Sequence, residues 1–341
     1  MKVGLFLTNQ QFLDTDMVAA LDDQIAMVHH ARDFGWDTLL SGQHYLNEGN
    51  NQQLQLVPFL ARLIPEAGDM NIALGILLLN LHNPVYTAET VASLDVISRG
   101  KLIFGVGLGY RDVEFDAFAV PRGKRVARFE EYLELIQKLW TEDNVTHRSE
   151  TCTLNNVRMN IRPIQQPRPP IWLAAHSQES FDIAAKFGLN AFTTTSGQTI
   201  DTLVEVWSNY QGALERYPRA PKMLGVQAQL CVTDSDEFAQ EQMTHFRYQN
   251  RQARALKSGK EQVLSGVSTP FPYEDEPGLD ELFTYRTLSG NPDTVIKKIK
   301  AFQSVAEIDQ INCVFHFGGM DPKLSSQSMK LFAEEVAPEF R

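Results

Sequence analysis

Three places in this 341-residue chain carry side chains able to do chemistry at the ends of apolar runs. In Lys101–Phe118, KLIFGVGLGYRDVEFDAF, an apolar strand pattern breaks into Gly105, Gly107 and Gly109, and Tyr110 and Arg111 follow. Glycines at a strand end let the backbone come close to a flat or phosphorylated ligand. In Pro169–Gly188, PPIWLAAHSQESFDIAAKFG, a strand ends in small residues and His176, and a helix opens with Ser177 and Ser180. The unpaired N–H groups of such a helix start favour an anion. His44, in Gly42-Gln43-His44-Tyr45, follows another short strand, and an imidazole there suits proton transfer near neutral pH. Two glycine- or serine-bearing corners in one chain point to a phosphorylated cofactor lying across the strand ends.

The elements that position these corners alternate. Strands are expected at Val3–Leu7, Thr38–Leu40, Asn71–Leu79, Leu102–Val106, Ile171–Ala175, Ala191–Thr194, Met223–Val232 and Gln310–Phe317. Helices are expected at Asp16–Phe34, Leu54–Ala67, Thr87–Ile97, Arg122–Trp140, Ser177–Phe187, Ile200–Arg216, Ser235–Leu256, Pro292–Ala306 and Lys323–Val336. Strict alternation implies parallel strands joined by helical crossovers, and eight units without a linker imply one α/β domain over 1–341, a (β/α)8 TIM barrel with insertions. A doubly wound sheet is the alternative, because barrel closure leaves no mark in a sequence. The surplus over about 250 residues falls in 144–163, read as a hairpin-like insertion, and in 257–285, read as a mobile lid.

Composition narrows the classes. A net charge of −11 argues against nucleic acid and anionic membrane surfaces as partners. Cys152, Cys231 and Cys313 are far apart with no CxxC, which argues against a disulfide framework or a thiolate zinc site. No apolar run is long enough for a membrane span or signal peptide, so a cytoplasmic location is expected. The glycines at 105, 107 and 109 read G-x-G-x-G rather than G-x-G-x-x-G and lie on the fourth strand, so they are not a dinucleotide fingerprint.

With these residues laid out, the chain resembles the bacterial luciferase-like, flavin-dependent monooxygenases. The likeness runs through MKVGLFL, GWDTLLSGQHYLNEG, HNPVYTAETVASLDVISRGKLIFGVGLGYRDVEFDAF, PPIWLAAHSQESFDIAAKFG and FGGM…SMKLFAEEVAPEF, in that order. The resemblance implies a luciferase-like barrel, reduced FMN as co-substrate, O2, a small organic substrate, a separate NAD(P)H:flavin reductase, and a homodimer. It maps the family's proton-managing histidine onto His44, though Gln43 and Tyr45 replace its usual neighbours, which argues against light emission. It maps the FMN phosphate onto Ser177 and Ser180, with His176 beside them in place of an acidic residue. The family's phosphate arginine falls at Leu108, so Arg111 is the candidate to supply that charge. The family's non-proline cis peptide falls at Gly75-Ile76. Tyr110, Asn80, His82 and His316 are candidate flavin or rim neighbours, each equally readable as a packed structural group.

Three other readings stay open. A deazaflavin-dependent reductase or dehydrogenase would share the fold and the phosphate corner. A metal-dependent barrel hydrolase would use His44, His82, His176 and His316, although no HxH or HxxxH pair occurs. A flavin-binding protein without catalysis is the third.

Overall fold

The computed structural model describes residues 1–46, 51–195, 199–258, 262–264, 267–269 and 271–340, with side chains described outside 256–270. Eight strands form the centre: β1 (Lys2–Leu7), β2 (Thr38–Ser41), β3 (Asn71–Leu74), β4 (Leu102–Gly107), β5 (Ile171–Ala174), β6 (Asn190–Thr194), β7 (Leu224–Gln229) and β8 (Gln310–Val314). Each pairs in parallel with its neighbour in sequence. β8 returns to β1 with Gln310 opposite Lys2, which closes the ring and settles the choice between barrel and open sheet.

Closure follows from the side-chain alternation. Val3, Leu5 and Leu7 on β1 pack outward with the helices while Phe6 points into the barrel, and Leu40, Ala73, Ile103, Trp172 and Phe192 repeat the inward position around the ring. The helices that follow the strands are α1 (Met17–Asp33), α2 (Leu56–Leu63), α3 (Pro84–Ile97), α4 (Arg125–Thr141), α5 (Gln178–Lys186), α6 (Ile200–Arg216), α7 (Pro292–Val305) and α8 (Pro322–Leu331). Asp16, Asn83 and Ser177 cap α1, α3 and α5 by accepting first-turn N–H groups.

Several expected boundaries are corrected. The strand expected over Asn71–Leu79 stops at Leu74. Leu77–Leu78 rejoins β4 after a cis Gly75-Ile76 peptide, and a 3-10 turn takes Leu79–Leu81. Pro84 starts α3 three residues earlier than expected because Asn83 caps it. The helix expected over Ser235–Leu256 is two, Asp236–Glu241 and Met243–Ser258. The 144–163 insertion is an antiparallel pair, Val145–Arg148 with Thr153–Val157. Of the 257–285 segment, 259–261, 265–266 and 270 lie outside the described residues. Gln262–Leu264 pairs antiparallel with Val267–Thr269, and the stretch from 271 is tied to the Met243–Ser258 helix by an Arg251–Glu276 ion pair and by Arg254 over the Tyr273 ring.

Candidate active site

A cavity of about 630 Å³ opens at the C-terminal ends of the strands, where barrel enzymes carry their chemistry. Of the residues singled out in the sequence, His44, Gly75, Ile76, Gly107, Tyr110, His176, Ser177 and Ser180 line it. Its two ends are built differently.

At one end the loops after β2 and β4 interlock. His44 Nδ1 lies 3.1 Å from Glu114 Oε1, and the same oxygen accepts Tyr45 N–H at 2.8 Å. An oxygen already accepting one N–H takes the second bond as acceptor too, so the imidazole carries its proton on Nδ1. Nε2 is then the acceptor for the Tyr110 hydroxyl at 3.1 Å. Burial raises the Tyr110 phenol above its ordinary value, with a smaller lowering effect from Arg111 and a smaller raising one from Glu114, so it stays protonated. That holds although 40 % of the residue is exposed, because the hydroxyl itself is engaged by His44. Glu114 is fully buried and pairs at 3.6 Å with Arg111, itself 3 % exposed.

At the other end, Ser177 caps α5. Ser180 Oγ reaches back to accept His176 N–H and Ser177 N–H at 3.0 Å each and donates to Ser177 O at 2.8 Å. Ser180 is thereby consumed in shaping the turn. The N–H groups of Gln178 and Glu179, which have no acceptor within a helix, are the donors left for an anion beside the Ser177 hydroxyl.

Between the ends the wall is apolar and close. The glycines of β4 serve this wall rather than a phosphate: a Cβ on Gly105 would lie 1.7 Å from Leu74 O, and one on Gly107 would lie 1.8 Å from Ile76 Cδ1. Their absence of side chains lets the β3 kink and the Ile76 side chain sit against β4.

Four candidates fall outside the cavity. Arg111 does not supply charge to the Ser177 corner: its guanidinium donates to Tyr45 O at 2.7 Å and Leu46 O at 3.3 Å and pairs with Glu114. Asn80 is buried and donates to Leu108 O and Arg125 O, holding β4 to α4. His82 packs behind the site with Nε2 at 2.9 Å from the Tyr45 hydroxyl, and burial lowers its pKa. His316 lines a separate cavity of about 240 Å³, and burial lowers its pKa as well. The four histidines do not converge, and among the described residues no three His, Cys, Asp or Glu side chains group as metal ligands. The sequence reading missed Glu114. Its place three residues after Arg111 was visible, but its bond to a histidine 70 residues away was not.

This geometry sits in a known family. Residues 1–306 match the family model of the luciferase-like monooxygenases, and the chain belongs to that family. It is similar to the oxygenase component of the flavin-dependent trigonelline monooxygenase of Acinetobacter baylyi, 23 % identical over 100 % of this chain and 96 % of the relative. It is similar to the F420-dependent glucose-6-phosphate dehydrogenase of Amycolatopsis mediterranei, 24 % identical over 100 % and 99 %. Its fold matches the oxygenating constituent of 3,6-diketocamphane monooxygenase of Pseudomonas putida, in complex with FMN, with a TM-score of 0.82 at 19 % identity over 100 % and 99 % of the two chains. The family thus holds both flavin-dependent monooxygenases and deazaflavin-dependent relatives. Among the described residues no helix is long and apolar enough to cross a membrane.

Proposed function

We propose that this chain is an FMN-dependent monooxygenase that takes reduced FMN from a separate NAD(P)H:flavin reductase and uses O2 to oxidise a small organic substrate. The observation that carries the reading is the single cavity joining an anion-accepting helix start at Ser177 to a proton-handling group at His44 and Tyr110. The residues present fit the cofactor: helix N–H groups for a phosphate, and an apolar wall including Ile76, Leu78 and Ala174 for a flat ring. Bound reduced FMN would supply the electrons that activate O2. The chain's own contribution is to hold the phosphate at Gln178 and Glu179, to keep water from the ring with the apolar wall, and to move protons at the His44 end. The oxygenase-component relative supports a separate reductase. A cytoplasmic homodimer completes the reading, and light scattering on the purified protein tests its dimeric part.

A deazaflavin coenzyme offers the same phosphate and a similar ring, and a relative that uses one supports it as the second reading. Titration of the protein with FMN, reduced FMN and the deazaflavin coenzyme separates the two. Tight binding of reduced FMN with O2-dependent turnover is the expected result. Binding of the deazaflavin coenzyme alone would replace this reading by the second.

A further inference from the structure

Both nitrogens of His44 are engaged. Nδ1 faces Glu114 Oε1 at 3.1 Å, and Nε2 faces the Tyr110 hydroxyl at 3.1 Å. The imidazole therefore has no nitrogen directed at the cavity without a partner, whereas the Tyr110 oxygen, once its proton points to Nε2, still has lone pairs to offer there. Behind the pair stands a carboxylate that is 0 % exposed and held by Tyr45 N–H and Arg111.

We propose that Tyr110 is the group that exchanges a proton with the bound reactants, that His44 relays it, and that Glu114 is the positioning residue and counter-charge. This rests on the flavin reading for the identity of the reactants, but not for the relay itself. The step balances. The reactant's proton passes to the Tyr110 oxygen as the Tyr110 proton passes to His44 Nε2, so the phenol is regenerated. The positive charge then lies on an imidazolium 3.1 Å from the Glu114 carboxylate. Run in reverse, the same path delivers a proton to the reactant. Alone the phenol could not serve as a base, since burial raises its pKa and leaves little phenolate to accept a proton. Coupled to an imidazole it never needs to become a phenolate.

The arrangement predicts a result that a packing role for Tyr110 does not. Tyr110→Phe removes one oxygen and frees Nε2. If His44 acted directly, the variant would be as fast as the parent or faster. The relay instead requires Tyr110→Phe and His44→Ala each to slow single-turnover reoxidation of bound reduced FMN by about 10²–10⁴-fold. It also requires the double variant to be no slower than the slower single one, because the two residues act as one unit.

A second readout needs no cofactor. Nitrogen-15 spectra of the histidine-labelled, flavin-free protein should show His44 protonated on Nδ1 in the parent, in Tyr110→Phe and in Glu114→Gln, and a loss of that preference in Glu114→Ala. Native-like FMN affinity and melting temperature in Tyr110→Phe confirm that the loss is chemical. A Tyr110→Phe variant with parental reoxidation, a double variant in which the losses multiply, or a parental His44 proton on Nε2 would each overturn the relay. Failure of the parent to bind FMN at all would instead sink the flavin reading, with the nitrogen-15 result still judging the network.

Discussion

The two ends of the cavity hold their functional groups by opposite means. At the His44 end the bonds that join the loop after β2 to Tyr110, Arg111 and the short helix Asp112–Ala117 after β4 span 65 to 70 residues of chain. At the Ser177 end the bonds that shape the turn span three or four residues. The first end exists only when β2, β3 and β4 are paired side by side. The second is a capping box that its own helix maintains. One end is therefore sensitive to anything that shifts strands, and the other only to local chemistry.

Four measurements break or sharpen that contrast. Glu114→Ala should cost about 3–5 kcal/mol of unfolding free energy, since it leaves the buried Arg111 guanidinium without its carboxylate. Ser177→Ala should cost only about 1 kcal/mol, the value of an ordinary cap. Urea unfolding of both variants gives the comparison, and equal costs would erase it.

Ser177→Asp should keep the helix capped, because aspartate caps well, yet set a negative charge beside the proposed phosphate. FMN affinity should fall about tenfold or more, the factor for losing a charge-assisted hydrogen bond of about 1.5–3 kcal/mol. An Asp variant that binds FMN as the parent does would remove the phosphate from this corner.

A further effect lies far from both ends and is read as a slope with pH. Burial lowers the Lys298 ammonium of α7 to about 8, although it donates to Phe283 O and Ser289 O. Between that value and the ordinary lysine value the unfolded chain holds a proton that the folded chain has released, so unfolding takes up a proton and stability rises with pH. Comparing the parent with Lys298→Gln by denaturation at pH values from about 7 to 9.5, below where tyrosines titrate, should show the parent gaining relative to the variant. A constant difference across that range would mean that the amine keeps an ordinary pKa.

What the sequence disclosed follows the same division. The α5 corner was legible because Ser177, Ser180 and the helix they open lie side by side in the chain. The strand order was legible because apolar runs and helical spacing alternate. The kink in β3 was not readable from local pattern, since Leu77 and Leu78 continue the apolar run, and only the family resemblance placed a break at Gly75-Ile76. Arg111 was misplaced for a related reason. Its charge is visible in sequence, but its acceptors, Tyr45 O and Leu46 O, are backbone atoms of a distant loop. Glu114 looked like one more acidic residue at a helix start, and only folding turned it inward to His44.

The fit of Ile76 into the notch above Gly107 makes the two positions share one fixed volume. Neither can grow alone: even alanine at 107 would collide with the Ile76 side chain. Shrinking Ile76 alone would leave a hollow in the floor on which a reactant ring would rest. The width of the reaction chamber is thus set by a pair of residues whose sizes must trade against each other. An Ile76→Ala, Gly107→Ala double exchange removes three side-chain carbons at one position and adds one at the other, so it should leave the chamber wider than in the parent but narrower than in Ile76→Ala alone, giving a handle on which ring sizes the chamber admits without touching a single proton-bearing group.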